Sequence, residues 1–434
     1  MHSEDTTLTF RDGLKPVFMV LLAVLFMEAG LGILSPLVYT LLARQDVPAF
    51  LIGSVNSAYH LAFLLGTMTC HRIIDRVGHA RAFTVFAAVA ANAAAAHIVI
   101  AKPIIWVGLH AVVGYALAGL SVIVESWLND KATETNRGTI FGVYMAASWA
   151  ASGLGPLALN YQETFGAAVL FTVVTGMLIT ALVPMSLTVV SNPDIEEREH
   201  LPLVKLFAAS PTGVTTCFVV GLGSSAYYGL VPSYATGAGL SNNQLAWILT
   251  GATVAGFAMQ FPIGWLSDHI GRRPLILASS AASAALAFAL IVLPIESFET
   301  LLAMLVLLSA LMAPLYALGI GQTNDYIAKD QFVAASAGLL FIWAAGATIG
   351  PLAAGYIMDQ AGTTSLFCYL ALCQGALAVF TALRMALRPA PSAEQQGDYV
   401  PTPVTPMTST SLGAPELDPR AVHRKHPHKK PADE

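Results

Sequence analysis

Long apolar runs separated by short polar breaks fill most of this chain. They lie near 17–42, 50–70, 82–101, 104–127, 139–161 and 166–190, and again near 206–232, 243–266, 275–293, 299–322, 332–357 and 364–387. A helix rising 1.5 Å per residue needs about 20 such residues to cross a hydrocarbon core roughly 30 Å thick. The pattern predicts an all-α integral membrane protein of 12 transmembrane helices in two groups of six. The polar segment 191–205 is the only long break before the tail, so it reads as the linker between bundles 17–190 and 206–388. Residues 1–16 are a polar N-terminal segment. Residues 389–434 are rich in Pro, Ser and Thr and bury too little apolar surface to offset their ordering entropy, so a disordered tail is expected. Its HRKHPHKK stretch fits a solvated basic tail better than a metal or lipid site.

Charge fixes the expected orientation. With the N-terminus cytoplasmic, Arg11, Lys15, Arg72, Arg76, Arg81, Lys131, Arg137, Arg198, Lys205, Arg272, Arg273, Lys329, Arg384, Arg388 and five basic tail residues fall inside. Only Arg44 and Lys102 fall outside, as the positive-inside rule requires. One missed or invented helix would scramble that split, so helix count and orientation support each other. Both termini are expected in the cytoplasm, with the chain in the plasma (inner) membrane.

Composition agrees, with 56% hydrophobic and 11% charged residues. A net charge of -5 offers no support for a nucleic-acid partner. The cysteines Cys70, Cys217, Cys368 and Cys373 sit in apolar runs without CxxC spacing and read as small hydrophobes rather than disulfide or zinc ligands. The chain has no phosphate loop, GxSxG elbow or HExxH pair, so neither an ATPase nor a common hydrolase is indicated. No cofactor, no metal and no enzymatic activity are expected, and any transport would draw on a gradient.

The two halves repeat. Asp75-Arg76-Val77-Gly78 matches Asp268-His269-Ile270-Gly271 at an offset of 193 residues; Asn129-Asp130 matches Asn324-Asp325, and Gly155-Pro156 matches Gly350-Pro351, both at 195. Internal repeats of this kind are common in secondary transporters. The stretch Gly264-Trp265-Leu266-Ser267-Asp268-His269-Ile270-Gly271-Arg272-Arg273 resembles the G-x-x-x-D-R-x-G-R-R loop signature of the major facilitator superfamily. The first-half copy is degraded, with His71 for the leading Gly and His79-Ala80 for the basic pair. GSVNSAYHLAFLLGT, VESWLND and NRGTIFGVYM are similar to the YcaD-like branch, and the resemblance spans 16–388.

That resemblance implies a monomeric transporter of a small organic molecule, with two pseudo-symmetric halves rocking around a midplane site in a lipid bilayer. It also implies a cytoplasmic gate. An acid at the end of the fourth helix, here Glu125, would join the loop Asp75 and Arg76, with Arg137 available and His79 making the network pH-responsive. Arg272 and Arg273 either form salt bridges or merely satisfy topology. Gly346-x-x-x-Gly350-Pro351 resembles a signature that proton antiporters carry on the fifth helix; here the better copy is on the eleventh, and close packing with a Pro kink explains it equally well.

Inside the membrane a carboxylate is expensive, on the order of 3 kcal/mol on insertion scales, and is a functional candidate by default. Glu28 lies roughly 16 Å into the first helix, near mid-depth, and His60 lies at similar depth in the second. The two form either a proton-exchanging pair or a static one, or Glu28 merely lines a wet cavity or sets substrate choice. Further cavity candidates are Asn56, Tyr59, His110, Tyr144, Trp149, Tyr227, Gln260, Tyr316, Gln322 and Trp343, with Trp149 and Trp343 suited to a flat or cationic substrate. The rival class is a membrane sensor built on a transporter fold, which would be expected to carry a sizeable soluble domain.

Overall fold

The computed structural model describes residue 14 and residues 17–133, 136–187, 201–328 and 331–387. The N-terminal segment apart from Leu14, the linker apart from 201–205, and the tail with its HRKHPHKK stretch lie outside the described residues. Among the described residues, 12 helices are long and apolar enough to cross a membrane. They are α1 (Phe18–Arg44), α2 (Ala49–Thr69), α3 (His79–Val99), α4 (Pro103–Lys131), α5 (Arg137–Phe165) and α6 (Ala167–Ser186) in the first half. The second half holds α7 (Pro211–Gly237), α8 (Asn242–Ile270), α9 (Arg272–Val292), α10 (Phe298–Asn324), α11 (Phe332–Ala361) and α12 (Ser365–Leu387).

The expected helix positions hold, and the largest departures have local causes. The fourth helix continues past its apolar run to Lys131, with Glu125, Trp127 and Leu128 buried and Asp130 exposed near its end. The fifth unwinds to a 3-10 segment at Gly155–Tyr161, where Pro156 lacks the N–H that an α-turn would use. The loop signatures fold alike in both halves. Gly78 and Gly271 precede α3 and α9 with φ of 83° and 86° and ψ of 159° and 162°, a region essentially confined to glycine.

Even-numbered crossing puts both ends of the described chain on one face, here termed the terminal face; the opposite one is the distal face. In the first half α1 packs on α5 and α6, and α4 on α2 and α3; in the second half α7 packs on α11 and α10, and α9 on α12. The halves meet mainly along α2 with α11, α1 with α7, and α5 with α8. Large apolar side chains such as Leu61, Val254, Phe288 and Leu372 are exposed on the outside. That surface suits lipid, which has no groups to satisfy an open backbone and so admits helices.

Candidate functional site

Between the halves lies a cavity of about 220 Å³. The first half lines nearly all of it, through Glu28, Leu31, Gly32, Ser35, Pro36 and Tyr39 of α1, Asn56, Tyr59, His60 and Phe63 of α2, Leu117 and Ser121 of α4, and Ser148, Trp149, Ser152 and Pro156 of α5. The second half adds Tyr228 of α7 and Leu249 and Thr253 of α8. Glu28 is the one Asp, Glu, Lys or Arg among these lining residues. It makes no ion pair with a described residue, and Tyr59 and Tyr144 lie within its electrostatic reach.

Glu28 and His60 share the cavity, as their matching depths suggest, but the structure records no bond between them. His60 packs edge-on against Tyr59 and Trp343, with ring centroids 5.1 and 5.3 Å away. Trp343 is buried behind it and outside the lining, next to Tyr316. Trp149 does reach the cavity and rests on Phe257 of α8, 5.5 Å between centroids.

Asn56 does more than line the wall. Tyr39 donates a hydrogen bond to its Oδ1 at 3.1 Å, and its Nδ2 donates to the carbonyl of Ser225 at 2.8 Å, tying α1 and α2 to α7. A side chain at Gly229 would collide with Asn56, so the tie requires that glycine.

The remaining candidates lie outside the lining. His110 is fully buried against Tyr39 and His97, with centroids 5.8 and 5.3 Å away. Tyr144 packs on Phe141. Tyr227 donates to the carbonyl of Leu305 at 2.9 Å. Gln260 is buried, and the Gln322 carbonyl accepts from Ser210 at 3.3 Å.

Sequence reading missed the hydroxyls of Ser35, Tyr39, Ser148 and Ser152. The signal was present, since Ser35 and Tyr39, like Ser148 and Ser152, stand four residues apart on one helix face, with Glu28 and Gly32 spaced to match.

At the distal face the seam between halves is tight. Asp359 at the end of α11 accepts from the backbone N–H groups of Ala49 at 2.7 Å and Phe50 at 3.0 Å, capping α2 from across the seam. Residue 48, which precedes α2, is Pro and has no side-chain acceptor, so the cap comes from the other half. Added side chains at Gly53 or Gly355 would overlap the backbone of Pro351 or Ala49. The related seam holds Gln162 of α5, which accepts from Asn242 of α8 at 3.3 Å.

At the terminal face the gate candidates separate by burial. Glu125 is fully buried, whereas Asp75 and Arg76, its expected neighbours, are exposed, and Asp75 lies within electrostatic reach of His79. His79 also meets Ser126 at 3.1 Å, and Arg137 donates to Asn129 at 2.8 Å. In the second half Arg272 pairs with Asp325 at 3.0 Å with both side chains buried, and Arg273 bonds to Tyr326. Gly264 is buried near the end of α8, and Asp268 lies one turn further on. Gly346 and Gly350 press on α7, where an added side chain would meet the backbone of Phe218 or Leu222.

Comparison with known proteins extends this picture. The profile of the Major Facilitator Superfamily matches residues 20–241 and 213–415. An uncharacterized MFS-type transporter of Enterobacter sp. (strain 638) is 28% identical over 405 residues, covering 90% of this chain and 98% of the relative. The MFS-type transporter YcaD of Escherichia coli is 27% identical over 371 residues, 82% of this chain and 92% of that protein. Among solved structures, a mutant of the nucleoside transporter NupG superposes with a TM-score of 0.71 at 10% identity, over 85% of this chain and 99% of that one. A bacterial homolog of the human lysosomal transporter Spinster, inward-facing and occupied, gives 0.65 at 15% identity over 86% and 96%.

Proposed function

The chain belongs to the Major Facilitator Superfamily, and on that premise we propose that it is a proton-driven secondary transporter of a small organic solute. One observation carries the reading: a carboxylate, Glu28, faces a cavity between two halves whose seam is packed toward the distal face. In this reading the terminal face is cytoplasmic, the protein works as a monomer in the plasma membrane, and the structure corresponds to a state closed on the outside. Alternating access then requires the α2–α11 and α5–α8 seams to part while the terminal ends close.

Protons enter through Glu28, with His60 the second group able to hold one. A carboxylate that is neutral in one state and ionised in another differs in its hydration needs by several kcal/mol, enough to bias which side of the cavity is wet. Purified protein in lipid vesicles tests this. With an imposed pH gradient, solutes selected by thermal-shift screening accumulate at least tenfold over the gradient-free control, and Glu28→Gln abolishes the difference. Binding without gradient-driven movement would indicate a sensor instead. Full gradient-driven uptake by Glu28→Gln would remove Glu28 from coupling.

A further inference from the structure

The lining of the central cavity restricts what it takes. It holds one carboxylate and no lysine or arginine, so an anionic solute would meet repulsion from ionised Glu28 and no permanently charged cationic side chain to offset it. The remaining polar groups are neutral hydroxyls, one amide and an imidazole, and the bulk of the wall is aromatic or aliphatic. Tyr59, Phe63, Trp149 and Tyr228 place aromatic rings on three different helices around the space. A cation is attracted both by a carboxylate and by ring faces, whereas a neutral polar solute gains from neither charge term. At about 220 Å³, the space falls below the roughly 300–1,000 Å³ of drug-sized pockets, so the occupant is compact.

We propose that the cavity binds a small monovalent organic cation with an apolar or aromatic body, held by Glu28 as counter-ion. The proposal names the substrate class of the transporter reading and rests on it for physiological meaning, but binding itself requires no transport. A proton and the cation compete for Glu28, so binding weakens as pH falls; His60 of α2 shares the lining, and any proton it took up would act in the same direction. The phenols near Glu28 are Tyr59 of α2, with Tyr39 and Tyr228 on the same cavity wall, and Tyr144 of α5, which lies outside the lining but within its electrostatic reach. Phenols ordinarily titrate only near pH 10, so they leave that competition unchanged.

Equilibrium binding to the purified full chain, by calorimetry at pH 8 and pH 5.5, tests the assignment with three compact aromatic probes. These are benzyltrimethylammonium, neutral N,N-dimethylbenzamide and anionic phenylacetate. Benzyltrimethylammonium is expected to bind at least tenfold more tightly than either comparator at pH 8 and to lose most of that margin at pH 5.5. Glu28→Gln should erase the preference, with the unliganded melting temperature checking that the variant is folded; Glu28→Asp should keep it. Equal affinity for all three probes, or a cation preference that survives in Glu28→Gln, overturns the proposal. Neither result bears on gradient-driven uptake, which is measured separately, so a protein that binds the cation without moving it refutes transport alone.

Discussion

A single buried ion pair illustrates how this fold spends charge. Arg272 and Asp325 are 3% and 2% exposed, so each has given up its water for the other. Removing one partner from such a pair typically costs about 3–5 kcal/mol, while replacing both with apolar groups is often neutral. Arg272→Met alone should therefore lower the thermal unfolding midpoint in detergent sharply, and Arg272→Met with Asp325→Leu should recover most of it. This pair was half visible beforehand: the loop signature drew attention to Arg272, and the repeat to Asp325, but nothing in the sequence says that they touch. The same limit applies to Glu125. Its place at the end of the fourth helix could be read from the apolar run, whereas its burial, with Asp75 and Arg76 exposed, depends on the packing of several helices.

At the level of helices, α2 and α11 form the most exacting contact between the halves. Glycines at 53 and 355 let the backbones touch, and Asp359 then supplies the cap that Pro48 leaves missing. An N-terminal cap is worth about 0.5–2 kcal/mol, and 1.4 kcal/mol is tenfold in an equilibrium. Asp359→Ala should shift the protein toward states open at the distal face by roughly two- to thirtyfold. Distances between spin labels at the distal ends of α2 and α11 would lengthen, while Asp359→Asn, which keeps one acceptor, falls between. An unchanged distance distribution would exclude the latch. The helices themselves were legible because apolar runs of the right length have one outcome in lipid. The latch was not, because a run records which residues are apolar and says nothing of which neighbour they face.

For the whole molecule, the basic residues set a direction that vesicle or cell experiments can check. In a variant with the four native cysteines replaced, Gln45→Cys at the exposed α1–α2 turn should react with a membrane-impermeant maleimide in intact cells. Arg81→Cys on the opposite face should react only after permeabilisation. The reverse pattern would invert the proposed topology. The two-bundle plan was readable from the repeat, since Gly78 and Gly271, or Asn129-Asp130 and Asn324-Asp325, recur at nearly fixed offset. The cavity broke that symmetry. Pro36 of α1 has its counterpart in Pro232 of α7 at an offset of 196, but the same offset carries Glu28 to Ser224.

The lopsided lining has a consequence for how such a protein can change. Chemistry is written almost entirely in α1, α2, α4 and α5, while the second half contributes three residues and a closely fitted wall. The proposed selectivity therefore rests mainly on the first half, whereas the seam needs both halves, Gly53 of α2 as much as Gly355 and Asp359 of α11. Substitutions at first-half lining positions away from that seam, such as Ser35 and Ser148, would retune the cavity without touching Gly53, Gly355 or Asp359.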